Sequence, residues 1–115
     1  MTTFVTGRQA EAAAADYLRA KGFSVLEQNW RTAWAEIDIV AKQKGVLYFC
    51  EVKYRETTSQ GGGLDYITQS KLKQMARAAD SWVSLHDWSG NYQLAALEIA
   101  GPDFAVTTFV DDIYT

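Results

Sequence analysis

Apolar residues near the N-terminus of this chain recur every three to four positions, the spacing of one face of an α-helix. Thr6 and Gln9 have the spacing of a capping box and predict where this helix begins. Gly22 predicts its end in a left-handed conformation, with Phe23 folding back against the last turn. The same spacing returns from about Thr68 to His86 and predicts a second helix.

Between and after these helices the apolar residues alternate or run together, as in β-strands. A polar turn covers 42–45, and the polar stretch from Arg55 to Gly63 is predicted to be a loop. The order α-β-β-β-α-β-β indicates one α/β domain over residues 1–115, with a mixed central sheet and a helix against each face or both against one side. The predicted strands cover 23–29, 35–41, 46–54, 92–99 and 105–110.

The composition is that of an ordinary globular domain, with 48% apolar and 22% charged residues among 115. No run approaches the ~18 apolar residues of a membrane span, and no basic start followed by an apolar stretch marks a signal peptide. We therefore expect a cytoplasmic protein without a membrane partner. With one cysteine, Cys50, and one histidine, His86, the chain has neither an intrachain disulfide nor a Cys/His zinc cluster.

Charge is distributed unevenly along the chain, although the net charge is only −3. All eleven Lys and Arg lie in residues 1–77, together with eight Asp and Glu, whereas residues 78–115 carry six acids and no base. This asymmetry is typical of a chain with one region that faces a polyanion, or it serves solubility alone.

The second and third predicted strands carry acids and a lysine among apolar residues. If Ala41 faces Val46 across a hairpin, Asp38 and Glu51 are diagonal neighbours on one face, with Cβ atoms roughly 7 Å apart or less. Lys53 follows on that face. Two such carboxylates can share one ion, and hard oxygen ligands suit Mg²⁺ or Mn²⁺. The alternative is a solvated hairpin face on which Glu and Lys pair across water.

Glu11 is a further acid that, like Asp38 and Glu51, lies among apolar residues. On the first helix it shares a face with Ala14, Ala15 and Leu18, so it borders the buried side. The alternative is a first-turn glutamate that is favoured by the helix dipole.

Several short motifs follow one another over roughly residues 4–85: Gly7-x-x-x-Glu11-x-x-Ala14-x-x-Tyr17-Leu18, Gly22-Phe23, Asn29-Trp30-Arg31, Glu36-Ile37-Asp38-Ile39-Val40-Ala41, Glu51-Val52-Lys53-x-Arg55 and Lys71-Leu72. Their order and spacing resemble those of the YraN-like family of small bacterial proteins. That family is similar to the archaeal Holliday junction resolvases of the PD-(D/E)xK nuclease superfamily. The resemblance implies a restriction-endonuclease-like fold, a mixed central sheet flanked by helices.

The chain departs from the family pattern at three places. Ala10 and Ala35 stand where the family usually has glycine, before the helix acid and before the Glu-Ile-Asp segment. An added methyl can crowd a close approach of backbone or ligand. Gln93-Leu94-Ala95 stands where the C-terminal strand usually carries an Arg-Phe-Asp-like segment.

The resemblance implies an endonuclease that uses Mg²⁺ or Mn²⁺ to hydrolyse phosphodiester bonds in DNA, with branched or repair-related structures as candidate substrates. Asp38 and Glu51, with the Val52 carbonyl, are expected to hold the metal, and Lys53 to act on the phosphate. Glu11 and Glu36 match further acids of the family and are expected to act at the metal, Glu11 in catalysis as well. The residues expected to contact the nucleic-acid backbone are Arg31, Lys42, Lys44, Arg55, Lys71, Lys73 and Arg77.

Two other functions stay open from the sequence, and a homodimer is allowed in every case. One is a nucleic-acid-binding protein that retains the nuclease fold without turnover, which metal binding without cleavage would reveal. The other is an interaction domain whose partner surface is formed by Trp30, Trp34, Trp82 and Trp88.

Overall fold

The computed structural model of the chain describes residues 3–56 and 64–113. Most of the loop predicted from Arg55 to Gly63 therefore lies outside the described residues. The predicted order α-β-β-β-α-β-β is confirmed. The elements are α1 (Thr3–Ala20), β1 (Ser24–Arg31), β2 (Glu36–Gln43), β3 (Val46–Arg55), α2 (Gln69–Leu85), β4 (Asn91–Ala100) and β5 (Ala105–Val110).

The five strands form one mixed sheet in the order β1-β2-β3-β4-β5. β3 and β4 are parallel, and α2 is the crossover between them, while the other neighbours are antiparallel. α1 covers one face around Leu18, Ile39 and Leu97, and α2 covers the other around Phe49 and Trp82. The arrangement with one helix against each face is thus the observed one. Neither helix, within the described parts of the chain, is long and apolar enough to cross a membrane.

The starts of the two helices differ in how well the sequence signals them. α1 already begins at Thr3, so the capping box predicted at Thr6 and Gln9 is wrong. The helix begins three residues before Thr6, because neither Gly nor Pro occurs in residues 3–5 to break the helical backbone. The predicted start of α2 is confirmed, since the Thr68 hydroxyl caps it by accepting the Lys71 N–H at 3.1 Å.

The predicted end of α1 is also confirmed. Gly22 has φ +92°, a backbone conformation that glycine adopts without a steric penalty. The Gly22 N–H donates to the Arg19 carbonyl and the Phe23 N–H to the Leu18 carbonyl, both at 3.0 Å. These two bonds form a Schellman end, which satisfies carbonyls that the helix leaves free.

The turn between β2 and β3 is two residues shorter than the predicted turn over 42–45. Gln43 pairs with Val46, so the turn consists of Lys44 and Gly45 alone. Their φ values of 51° and 78° are both positive, as a two-residue type I′ hairpin requires. The predicted pairing of Ala41 with Val46 is therefore wrong by two residues, because a lysine adopts the conformation that Asn or Asp usually signals.

Candidate active site

The two central acids meet where the pairing of β2 with β3 ends. Regular pairs stop at Ile39 and Cys50, and one step further along this register Asp38 stands opposite Glu51. Because the register error was two residues, the acids become direct rather than diagonal neighbours across the strands. The Val52 N–H donates to Asp38 Oδ2 at 2.8 Å. The Asp38 carboxyl thus accepts the Val52 N–H, which a backbone carbonyl would accept if β2 and β3 remained paired.

The neighbouring strand β1 is bent at the same level. Asn29 lies opposite Asp38 and has φ +55°, a left-handed conformation that Asn tolerates better than most residues. Gln28 pairs with Ile39 of the α1-side core, whereas Trp30 and its partner Ile37 pack on the α2 side, although residues two apart in a regular strand share a face. The bend therefore redirects the last residues of β1 toward α2.

Burial is the main reason that Asp38 is hard to ionise. It raises the pKa of this carboxyl to about 8, with the nearby Glu51 carboxylate adding to the effect. The hydrogen bond from Val52 acts in the opposite direction. Glu11 on α1 and Glu36 on β2 raise the pKa further. The three other predicted acids, which lie on α1, β2 and β3, therefore all act on the Asp38 carboxyl.

Glu51 is held by a cation from the second helix. Burial raises the pKa of its carboxyl, and the Lys71 ammonium, 3.1 Å from Glu51 Oε2, lowers it, with Lys53 acting more weakly in that direction. The side chains of Glu51 and Lys71 are 19% and 33% exposed. Lys71 therefore supplies one positive charge at the carboxylate pair, while Lys53 is exposed on β3.

Tyr66 belongs to this site, although the sequence pattern did not predict it. Its hydroxyl is buried and has no hydrogen-bond partner among residues 3–56 and 64–113. Burial raises the pKa of this phenol, and the Glu51 carboxyl adds to the effect. No local motif marks Tyr66, because it reaches Glu51 only through the fold of the segment that precedes α2. A buried hydroxyl without a protein partner is one whose hydrogen bonding a bound water or ion would satisfy.

Arg55 is engaged within the protein. Its guanidinium donates to Glu98 on β4 and to Asp65 just before α2. Glu98 is only 1% exposed and also accepts the Thr107 hydroxyl at 2.8 Å. This network neutralises a buried acid, so Arg55 has a structural task beside the predicted phosphate contact.

The other predicted nucleic-acid contacts separate into two groups. Arg31, Lys71 and Arg77 line one groove beside Glu36, and Lys73 is exposed on α2 near it. At the opposite end of β2, Lys42 lies 5.2 Å from the centre of the Trp88 ring, and Lys44 forms the hairpin turn. Lys44 lies six positions from Asp38 along β2 and its turn, a distance of roughly 20 Å.

The donor atoms at the carboxylate pair fit a small hard cation. Within the described ranges, no three side chains of His, Cys, Asp or Glu converge to hold an ion by themselves. Two carboxylates with the Val52 carbonyl leave the remaining positions to water, as Mg²⁺ prefers. The partnerless Tyr66 hydroxyl could take such a water. The residues present therefore fit Mg²⁺ or Mn²⁺.

Comparison with known proteins places the chain in a family. The model of "Uncharacterised protein family UPF0102" matches residues 10–106, a segment that includes the four acids and Lys53. The chain belongs to the UPF0102 family. The resemblance seen in the sequence motifs is thereby confirmed at the level of the family.

Relatives within the UPF0102 family come from several bacteria. A UPF0102 protein of Chlorobium chlorochromatii is 40% identical over 83 residues, which cover 72% of this chain and 64% of the relative. One from Oleidesulfovibrio alaskensis is 38% identical over 81 residues, 70% of this chain and 40% of the relative. One from Shewanella loihica is 34% identical over 97 residues, 84% and 85% of the two chains. The chain thus spans less than two thirds of the first two.

The departures from the family pattern serve packing in this chain. Ala10 is 1% exposed in the core beneath α1, and Ala35 packs against the α2-side core. Leu94 is buried on β4, while the Gln93 side chain donates to the Asp111 carbonyl at 2.7 Å. Ala10 is therefore part of the α1-side core.

Proposed function

We propose that this chain is a Mg²⁺- or Mn²⁺-dependent endonuclease that hydrolyses phosphodiester bonds in DNA. The observation that carries the proposal is the meeting of the Asp38 and Glu51 carboxyls where β2 and β3 part, with Lys53 two residues further along β3. When bound, the ion would polarise the scissile phosphate and lower the pKa of the attacking water. All remaining steps fall to residues of the chain.

Asp38, Glu51 and the Val52 carbonyl would hold the ion. Burial raises the pKa of both carboxyls, and the Glu51 carboxylate raises that of Asp38 further, because two ionised carboxyls side by side repel. The pair therefore gains from a cation between its members. Glu11 and Glu36, which act on Asp38 electrostatically, would hold water outside the ligand sphere.

Lys53 would act on the charge that develops in the transition state. Its ammonium is exposed and acts on the Glu51 carboxyl, so it can face a phosphate bound beside the pair. A cation fixed on a strand stabilises that charge without moving into place during the reaction. Lys71 is paired with Glu51 in the metal-free protein and would turn to the phosphate once the ion takes its place.

The decisive test is cleavage of a labelled DNA panel by the purified chain in Mg²⁺, Mn²⁺ or EDTA. The panel holds branched, nicked, single-stranded and duplex DNA. We expect metal-dependent products that disappear in Asp38→Asn. The matched control is Asp16→Asn, because Asp16 is an exposed acid on α1 paired with Arg19. Metal and DNA binding without cleavage would favour the non-catalytic nucleic-acid-binding protein, and unchanged Mn²⁺ binding in Asp38→Asn would contradict the site.

Lys53→Met separates chemistry from binding. The substitution keeps most of the side-chain length and removes the charge. We expect cleavage to fall by roughly two orders of magnitude, as is typical on losing one prearranged charge-stabilising group, while Mn²⁺ and DNA affinity stay within a few fold. Single-turnover rates and equilibrium binding, measured side by side, distinguish these effects. Cleavage at the wild-type rate would contradict the role given to Lys53.

A further inference from the structure

A groove of ≈ 370 Å³ opens beside the carboxylate pair, between α2 and the short turn that joins β1 to β2. Its volume lies within the range of sites for small organic ligands. Glu36 and Lys71 line the groove, and Lys71 also contacts Glu51. A molecule in this groove would therefore lie next to the proposed reaction site.

The groove is basic. Arg31, Lys71 and Arg77 face it, with Glu36 as the single acid of its lining. Arg31 Nε lies 3.0 Å from Glu36 Oε2, so that acid is already paired. Arg77 has no ion-pair partner in the part of the chain that the structure describes. Because Arg31 and Lys71 are each paired with an acid, Arg77 supplies the uncompensated positive charge of the groove, which suits an occupant with a phosphate group.

Trp34 forms the aromatic wall of this groove. Its side chain is 63% exposed, the most exposed of the described aromatic residues. The turn that carries it is fixed from both sides: the Thr32 N–H donates to the Ala35 carbonyl at 2.8 Å, and the Thr32 hydroxyl accepts the Ala35 N–H at 3.1 Å. The indole is thus presented on a short, hydrogen-bonded turn instead of being packed into the core.

We infer that this groove binds an unpaired nucleotide of the DNA substrate, with its base stacked on Trp34 and its phosphate held by Arg77. An exposed indole stacks on any base whose face is free, and bases within a duplex already stack on each other. The proximity of Lys71 to Glu51 puts this nucleotide next to the cleaved phosphate. The inference rests on the proposed function and specifies it: the preferred substrate is single-stranded where it is cut.

The test compares labelled single-stranded oligo-dT with a duplex by fluorescence anisotropy, in EDTA so that no cleavage occurs. We expect Trp34→Ala to weaken single-strand binding roughly five- to hundred-fold, the range for loss of one base–aromatic stack, and to leave duplex binding unchanged. Trp34→Phe should retain most of the affinity. Leu85→Ala, an equally exposed apolar residue at the far end of α2, is the matched control and should bind both DNAs as the wild type does.

Four outcomes would overturn the inference. Trp34→Ala could lose the same affinity for single-stranded and duplex DNA, or lose none. The wild type could bind the matching RNA strand more tightly than DNA. Finally, the wild type could self-associate in a way that Trp34→Ala abolishes. Cleavage separates this inference from the proposed function. If the wild type cleaves DNA and Trp34→Ala cleaves every member of the panel as well as the wild type does, the groove assignment is wrong and the proposed nuclease activity stands. If Trp34 selects single strands and no member is cut, the nuclease fails alone.

Discussion

The Asp38 carboxyl is costly to ionise in the folded protein, because burial and Glu51 raise its pKa from 3.8 to about 8. An acid with a higher pKa in the folded than in the unfolded chain makes the protein less stable as the pH rises between those two values. We expect the free energy of unfolding of the metal-free protein to fall over this interval. Asp38→Asn should flatten the fall by up to ~5 kcal/mol.

Urea unfolding at a series of pH values, in EDTA, measures this effect. Asp16→Asn is again the control, since its carboxyl is exposed and its removal should leave the slope unchanged. A slope in Asp38→Asn equal to that of the wild type would show that Asp38 ionises without cost.

Lys71 competes with a metal ion for Glu51. Its ammonium lies 3.1 Å from Glu51 Oε2, so a cation that binds there must displace it. We expect Lys71→Gln to raise Mn²⁺ affinity by about five-fold, since removing one nearby positive charge is worth ~1 kcal/mol at a partly exposed site. DNA affinity should fall in the same variant. Calorimetry with Mn²⁺ checks the first effect, and anisotropy checks the second.

Lys73→Gln is the matched control for that experiment. Lys73 is an exposed lysine two residues after Lys71 on α2. The first turn of α2 carries no acid with which Lys73 could pair. Removing it should weaken DNA binding without raising Mn²⁺ affinity. If both variants changed Mn²⁺ affinity equally, the effect would come from net charge rather than from the contact with Glu51.

At the scale of the elements, two glycines of the α1 region respond oppositely to the same substitution. Gly22 has φ +92°, and a Cβ there would lie 3.3 Å from Gln43 Nε2, which donates to the Lys21 carbonyl. Gly22→Ala should therefore destabilise the protein by about 1 kcal/mol or more. Gly7 lies inside α1 with open space around its Cα, so Gly7→Ala should stabilise by about 0.5 to 1 kcal/mol.

Thermal and urea unfolding of the two variants test this pair. Because the chemical change is identical, the difference in sign isolates the backbone conformation. Destabilisation by Gly7→Ala would indicate that its neighbourhood is more crowded than it is in this structure.

Most of the element order was predictable because its signals are local. Gly22 and Thr68 mark a helix end and a helix start through contacts within a few residues. The Lys44–Gly45 turn was missed because lysine is not the residue that usually signals positive φ. One turn then moved the register by two residues. The predicted proximity of Asp38 and Glu51 was kept, because the two-residue error replaced a diagonal pair by a direct one.

The surroundings of the site were less predictable than its acids. Tyr66 and the Glu98 partner of Arg55 come from distant parts of the chain, and no periodicity connects them. Trp34 could be seen in the sequence only as one of four tryptophans. Its exposure depends on how α2 and the β1–β2 turn lie against the sheet, which is a tertiary property.

Across the whole molecule, the bases near the carboxylate pair lie on β1, β3 and the first half of α2, whereas residues 78–115 carry six acids and no Lys or Arg. We expect DNA binding to weaken steeply with salt because phosphate contacts release counterions. Arg77→Ala should reduce the slope of log affinity against log salt by about 0.9 on duplex DNA and about 0.7 on single strands. Arg19→Ala, an exposed base on α1 that is paired with Asp16, should leave the slope unchanged.

Anisotropy over a salt series measures these slopes. Arg55→Ala gives a further comparison, because this residue neutralises the buried Glu98, and its loss should lower the melting temperature first. An unchanged slope in Arg77→Ala, or a wild type that binds DNA independently of salt, would favour the interaction domain.

The bend at Asn29 also bears on how the molecule stays separate from its copies. β1 is an edge strand, and a straight edge offers another chain a continuous row of free N–H and C=O groups. In this protein the register shift at Leu26 and the left-handed Asn29 interrupt that row twice within eight residues. The distortion that turns the end of β1 toward the groove thereby makes the strand a poor template for sheet extension and aggregation.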